Sequence, residues 1–350
     1  MSAKRDSSGA GGRRVTIADV ARKAGVSRAT VSRVLNGQDT VDPVLAGRVR
    51  QVSRRLGYHP SAIAQGLARG ASHTIGVVVP DLANPFFPEV VKALTVAAGK
   101  DGFSVVVADS DEDPEAELRL IQDVSRRVDG LVLCSPRAGI ADLRRVVRKG
   151  LPTVCTNRMV DPPLTASVTI DSGRGMQAVI RHLAELGHRR IAYLAGPPSS
   201  SSNADRLGAL ERSLPDAVVI PTGSKSQEGY ASAAAAAEAG ATAVICFNDL
   251  VAFGALARLR TLGVAVPAEV SVVGFDDIPA ADFVHPTLTT VRLPKAELGR
   301  TSWEVLRDQL GGHGASASVR LEPTLVVRES TGKAAGVAGN AVAVGERAGS

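Results

Sequence analysis

Two architectures follow one another in this sequence: an N-terminal all-α helix-turn-helix headpiece, then an α/β core of doubly wound parallel sheets. Three observations predict them. Residues 16–36, TIADVARKAGVSRATVSRVLN, carry apolar positions at helical spacing on both sides of a glycine. Past residue 74, short Val/Ile/Leu runs alternate with helix-length amphipathic stretches, the pattern of parallel strands joined by helices. Formal charge divides at the same place. Residues 1–70 hold 13 Lys+Arg against 4 Asp+Glu, so a head of +9 stands on a remainder of −3 within a chain of net +6. A basic head on a mildly acidic body points to a polyanion partner for the head alone.

Within the head, helix one runs from Ile17 to about Lys23, and helix two from an N-cap at Ser27 to about Leu35. Ala21 is small enough for the helices to cross closely. Gly25 can adopt the left-handed conformation that a short inter-helix turn demands. Val20, Val31 and Val34 form the apolar face. Ser27, Arg28, Thr30, Ser32, Arg33 and Asn36 stay outward, rich in hydrogen-bond donors and poor in acid, as suits a helix laid in a DNA major groove. The competing reading is an ordinary helical hairpin with a polar outer face. Asp42-Pro43 then supplies an N-cap and an N1 proline for a third helix through about Leu56, followed by GYHPSAIAQGLARG over residues 57–70.

The run T-x-x-D-V-A-x-x-A-G-V-S-x-x-T-V-S-R-V-L-N, with the block 16–68 that contains it, resembles the DNA-binding headpiece and hinge of the lactose-repressor/galactose-repressor (LacI/GalR) family of bacterial transcriptional regulators. The likeness continues to about Glu329. It implies that Arg28 and Ala29 face base edges, Arg28 forking onto a guanine and Ala29 suiting a thymine methyl. Arg33, about one turn later, also reaches bases. Ser27, Thr30, Ser32 and Asn36 are expected to hold phosphates and set register, and Thr16 is assigned to the same DNA side. Residues 60–69 look like the family's hinge helix, with Ser61 as N-cap and Leu67 as the wedge that enters the minor groove and bends the duplex. A helix this short, weakened by Gly66, is expected to form only when two copies pair on DNA.

In the core, apolar runs at 75–79, 104–108, 130–133, 153–155, 168–170, 191–195, 218–220, 243–246 and 270–274 read as strands buried on both faces. Helices are expected to include 88–100, 114–126, 174–185, 250–262 and 297–309. The resemblance implies a periplasmic-binding-protein-like core of two Rossmann-like lobes joined by three crossovers. One comprises about 73–171 plus 292–319, the other about 172–290 plus 320–329. The resulting division is a basic arm over 1–14, a headpiece over 15–58, a hinge over 59–72, the two-lobed core over 73–330 and a tail over 331–350. Arm and tail are both read as disordered; the tail lacks the leucine heptads of a tetramer-forming segment.

Ligand-site expectations gather at strand ends. Pro80-Asp81-Leu82-Ala83-Asn84-Pro85-Phe86-Phe87 follows the first strand and holds two of the seven phenylalanines, where open α/β sheets bind ligands. Phe86 and Phe87 either stack on a sugar ring or are simply core. Asn157, Arg158, Arg206, Asn248 and Asp276 match ligand-contacting positions of the family. Together they offer an acid, two guanidinium forks and two amides, a set suited to vicinal hydroxyls. Asp277 reads as a structural cap, and Asp249 as the partner of the following helix's N-terminus. Two departures leave the effector open between a sugar and a nucleoside: Asn157 stands where sugar binders carry Asp, and Gly223-Ser224-Lys225 stands where the family has an aromatic wall.

Cys134, Cys155 and Cys246 are the only cysteines; far apart and in apolar contexts, they read as buried reduced thiols. The N-terminus has no apolar export segment and no run spans a membrane, so a cytoplasmic location is expected. No cofactor, metal set or nucleophile–base pair stands out; His182 and His188 miss the i, i+4 spacing of a shared helix face. The expectation is therefore a homodimeric, non-enzymatic regulator that grips pseudo-palindromic double-stranded operator DNA as a repressor and is controlled by a small-molecule effector, a sugar. The alternative is a sugar-binding receptor without DNA function.

Overall fold

The computed structural model describes residues 15–35, 40–58, 72–160, 166–312 and 318–335. It falls into two compact units, one up to Ser72 and one from His73 onward.

The first unit is three helices: α1 (Ile17–Ala24), α2 (Arg28–Leu35) and α3 (Pro43–Arg55). The α1 helix begins where the N–H of Thr16 donates to Asp19 Oδ2 at 3.0 Å, and it ends at Gly25, whose φ of 65° is the left-handed conformation expected there. Asp42 caps α3, accepting from the N–H groups of Val44 and Leu45 at 3.0 Å each. Val20, Ala21, Ala24, Val31, Val34, Ala46 and Val49 form a core shared by all three helices.

The second unit contains two six-stranded sheets. Lobe one has β1 (Thr74–Val79), β2 (Ser104–Asp109), β3 (Gly130–Cys134), β4 (Thr153–Thr156), β5 (Ala166–Ile170) and β11 (Val319–Leu321), in the order β11-β5-β4-β3-β1-β2. Its helices are α4 (Phe86–Lys100), α5 (Pro114–Ser125), α6 (Ile140–Val146) and α11 (Lys295–Leu310). Lobe two has β6 (Ile191–Ala195), β7 (Val218–Pro221), β8 (Ala243–Cys246), β9 (Ser271–Asp276), β10 (Thr289–Arg292) and β12 (Thr324–Val326), ordered β12-β10-β9-β8-β6-β7. With these go α7 (Ser172–Glu185), α8 (Ser201–Ser213), α9 (Ser226–Glu238) and α10 (Asp249–Thr261). The chain therefore crosses between lobes three times, as expected: after β5, after β10, and between β11 and β12. Neighbouring strands are parallel throughout except the β10–β12 pair.

Three features depart from the sequence reading. First, β2 and β7 are sheet edges, so they are not buried on both faces: Val106, Val107, Val218 and Val219 are exposed. Second, β10, β11 and β12 are too short and polar to stand out as apolar runs; each is specified by its place beside an existing strand. Third, the tail does not become unstructured at residue 331. Thr331 bonds His182 and Thr289, and the Gly332 carbonyl accepts from His188, each at 3.0 Å. The N–H of Ala334 donates to Leu186 O at 2.9 Å. The two histidines thus serve to anchor the segment that follows β12. Residues 336–350, and the arm and hinge over 1–14 and 59–71, lie outside the described residues.

Lobe two is packed by close backbone approach. A Cβ on Gly254 of α10 would collide with the main chain of Ser226, and one on Gly229 of α9 with that of Val251. Glycine at both crossing points lets the two helices touch backbone to backbone, which sets the position of the cleft residues at their N-termini.

Candidate functional site

On the headpiece, Arg28, Ala29 and Arg33 are exposed along one side of α2, while Val31 and Val34 are buried on the other. Ser27 is the cap as expected: its Oγ accepts from the N–H of Thr30 at 3.0 Å and pairs with Thr30 Oγ1 at 2.9 Å. Both hydroxyls are therefore oriented before any partner arrives. Thr16 is exposed, but its N–H and its hydroxyl both donate to Asp19 Oδ2, at 3.0 and 2.7 Å. Ser32 is half-buried. Asn36 and Leu67 lie outside the described residues.

Between the lobes lies a narrow, nearly closed cleft with a cavity of about 20 Å³, walled by residues from both sheets' C-terminal ends. Six of the seven expected ligand residues line it: Phe86, Phe87, Asn157, Arg206, Asn248 and Asp276. The two rings open α4 and meet edge to face, with centroids 5.1 Å apart. They belong to the hydrophobic core and to the cleft wall at once.

Asp276 ends β9 with φ 108° and is almost fully buried. Burial pushes its carboxyl up to about 6, against the opposing pull of Arg206, Lys295 and a side-chain hydrogen bond from Asn84. Asn84 reaches it from lobe one. The sequence reading passed over Asn84 because it sits beside two conspicuous phenylalanines; its Oδ1 also accepts from the N–H of Phe86 at 3.0 Å and opens α4.

Arg206 projects from α8 and is 2% exposed. Its guanidinium stacks 3.9 Å from the Phe275 ring centroid and donates to the carbonyl of Phe247. Its buried Nε has no protein partner. A buried donor without a partner is uncommon in a folded protein and marks Arg206 as a candidate for ligand contact.

Three expectations are corrected. Arg158 does not line the cleft. Its Nη1 donates to the carbonyls of Pro136 and Ala138 at 2.8 and 2.6 Å, and burial lowers its basicity. The second guanidinium in the cleft is Arg137, which follows β3. Glu117, buried in the first turn of α5, accepts from the N–H groups of Arg137 and Ala138 at 2.9 and 2.7 Å. Arg158 and Glu117 thus hold the 136–138 turn from its two polar sides and aim Arg137 inward. Both arginines follow strand ends, so sequence position alone does not distinguish them.

The roles expected of Asn248 and Asp249 are also exchanged in part. Asn248 lines the cleft, but it is the N-cap of α10: Oδ1 accepts from the N–H of Val251 at 2.8 Å, and Nδ2 donates to Ser224 O at 2.9 Å. Asp249 is wholly buried instead, accepting from the N–H of Ile278 at 2.8 Å and the hydroxyl of Thr290 at 2.5 Å. Burial, with Asp276 nearby, pushes its carboxyl well up. Asp277 caps no helix; it accepts from Arg292 and Arg328 at 2.6 and 2.7 Å. Burial works against its charge, but those two guanidinium groups hold its carboxyl below the ordinary value.

Phe247 and Ser224 both line the cleft. At the rim, Lys225 of lobe two reaches Asp111 of lobe one at 3.0 Å. All three cysteines are free and buried, as expected. No helix among the described residues is long and apolar enough to cross a membrane.

Comparison with known proteins agrees with both units. Residues 16–61 match the family model described as bacterial regulatory proteins, lacI family, and residues 180–331 that of a periplasmic binding protein-like domain. The chain is 37% identical to the HTH-type transcriptional regulator GalS of Salmonella typhimurium, over 90% of this chain and 96% of that one. The crystal structure of the Lac repressor dimer bound to operator and the anti-inducer ONPF superposes with a TM-score of 0.82 at 30% identity, covering 91% of this chain and 100% of that one. A complex of the transcriptional regulator CelR with cellobiose gives 0.67 at 31% identity, with coverage of 91% and 100%.

Proposed function

Because this chain belongs to the lacI family of bacterial regulatory proteins, we propose that it is a homodimeric repressor whose grip on a pseudo-palindromic operator is set by an uncharged sugar in the interlobe cleft. That it is a DNA-binding regulator of transcription follows from the family itself, and the relatives named above are regulators rather than enzymes. Its place of work is the cytoplasm, where its DNA is.

Arg28, Ala29 and Arg33 read base edges from the exposed side of α2, while Ser27, Thr30 and Ser32 position it on phosphates. The exposed valines of the edge strands β2 and β7 offer apolar surface to a second copy, in keeping with the dimeric relative. In the cleft, Asp276 and Arg206 receive ligand hydroxyls, with Asn157 and Asn248 beside them and the Phe86 and Phe87 rings against the C–H face. Ligand contacts drawn from both lobes change their closure, and closure is what the headpieces respond to.

The observation that carries this reading is Arg206: a buried guanidinium in the cleft wall, stacked on Phe275 and held by Phe247, whose Nε has no protein partner. The test is a gel shift on the DNA upstream of the chain's own gene, with and without pentoses, hexoses and nucleosides. Arg28→Ala should lose preference at one base pair per half-site, by about 1–3 kcal/mol. Asp276→Ala should keep operator binding and lose the effector response. A normal response from Asp276→Ala would move the effector site elsewhere, and indifference of the wild type to any palindromic duplex would end the account.

A further inference from the structure

Four ionisable side chains line the cleft: Glu112, Arg137, Arg206 and Asp276. They form two opposite pairs, one per lobe. In lobe two Arg206 faces Asp276. In lobe one, Nε and Nη2 of Arg137 donate to the two carboxylate oxygens of Glu112 at 2.5 and 2.9 Å, and Nη1 donates to Ser135 O at 2.9 Å. The formal charge of the lining is therefore zero.

The lobe-one pair is built rather than incidental. Arg137 is 6% exposed, its N–H is held by Glu117, and the carbonyls of its neighbours Pro136 and Ala138 are held by Arg158. Glu112 sits at φ 61°, in a turn whose other member, Asp111, also has positive φ and carries the ion pair to Lys225. Two left-handed non-glycine residues in succession are an unfavourable backbone choice, and here they deliver one carboxylate to the cleft and another to its rim.

We propose that Glu112 is a specificity determinant: by occupying the Arg137 fork it takes from anions the guanidinium that lobe one places in this cleft, so the cleft admits uncharged hydroxyl-rich ligands and rejects phosphorylated or carboxylated ones. The inference rests on the cleft being the effector site. A fork engaged bidentately by a carboxylate cannot engage a phosphate the same way. A phosphate brought to it would also meet the Glu112 charge in a partly desolvated space, where like charges are costly. The two N–H groups that Arg137 has left remain available to neutral hydroxyls.

The experiment measures binding to the full chain by calorimetry, with D-ribose, D-ribose 5-phosphate and inorganic phosphate as probes, for wild type, Glu112→Gln and Arg137→Gln. Glu112→Gln keeps the shape and frees the arginine charge. It should gain on the order of tenfold or more for ribose 5-phosphate and for inorganic phosphate relative to wild type. The headpiece is the same in both proteins, so anions bound there cancel in the comparison. Arg137→Gln reverses the imbalance and should gain instead for D-galactosamine, a cationic sugar; it decides the matter if Glu112→Gln fails to fold. Tight binding of ribose 5-phosphate by wild type, or no gain of anion by Glu112→Gln and none of amino sugar by Arg137→Gln, overturns the proposal. Ribose 5-phosphate bound by wild type in an Asp276-dependent way would do so while leaving the effector cleft in place. Loss of all sugar binding with the charge swaps still visible for phosphate would instead count against the sugar reading alone.

Discussion

The Nζ of Lys295, in the first turn of α11 in lobe one, donates to the main-chain oxygen of Asp276, at the end of β9 in lobe two, at 2.6 Å. It also donates to Asp277 O at 2.8 Å and lies 3.6 Å from Glu89. One buried ammonium therefore pins the turn that carries the cleft acid to the other lobe. Lys295→Met keeps the length of the stem but strips one buried and one half-buried carbonyl of their donor. The core should lose about 1–3 kcal/mol in a urea melt, and effector affinity should fall with it, because Asp276 loses a nearby positive charge. A variant as stable and as responsive as wild type would show that this tie is dispensable.

Asp276 predicts a pH dependence with a definite sign. Its carboxyl is pushed up to about 6 from an ordinary value near 3.8. Between those values the folded chain holds more protons than the unfolded one, so stability falls as pH rises through this window. Asp276→Asn removes that cost. Its melts should show a core more stable than wild type at pH 7, with the advantage shrinking as pH drops through about 6 and gone below about 4. Effector affinity in wild type runs the other way. With the ionised carboxylate as acceptor, it should weaken by about tenfold from pH 7 to pH 5, following the ionised fraction of a group at about 6. Affinity that stays flat over this range would place the ligand away from the carboxylate.

Arg158 should act only through Arg137. Arg158→Ala removes the donor to Pro136 O and Ala138 O, loosening the turn that aims Arg137 by about 1–3 kcal/mol of local stability. In a double-mutant cycle read by effector affinity, Arg158→Ala should weaken binding in wild type and add nothing in an Arg137→Gln background. Additive losses would mean that Arg158 touches ligand directly.

How far the chain could be read without coordinates differs between its parts, for reasons visible at single residues. In the headpiece, Gly25, Ser27 and Asp42 act within three residues of themselves, as a left-handed turn and two caps, so local chemistry was enough to place them. In the core, Asp276 and Arg206 were identifiable from their motifs, and most strands from their apolar runs. Glu112 and Asn84 were not. Their roles depend on partners 25 and 192 positions away in sequence, Arg137 and Asp276. Arg158 misled because it follows a strand end just as Arg137 does.

Short-range stereochemistry and the spacing of apolar residues determined, from sequence alone, the helical head, the alternation of strands and helices and the division of charge between head and body. Those properties need only neighbours along the chain. Tertiary structure decided which arginine enters the cleft, that Asn248 rather than Asp249 caps α10, which strands are edges and where the tail attaches. These outcomes turn on which buried polar group finds which partner once the sheets close, and that pairing is made across the fold rather than along the chain.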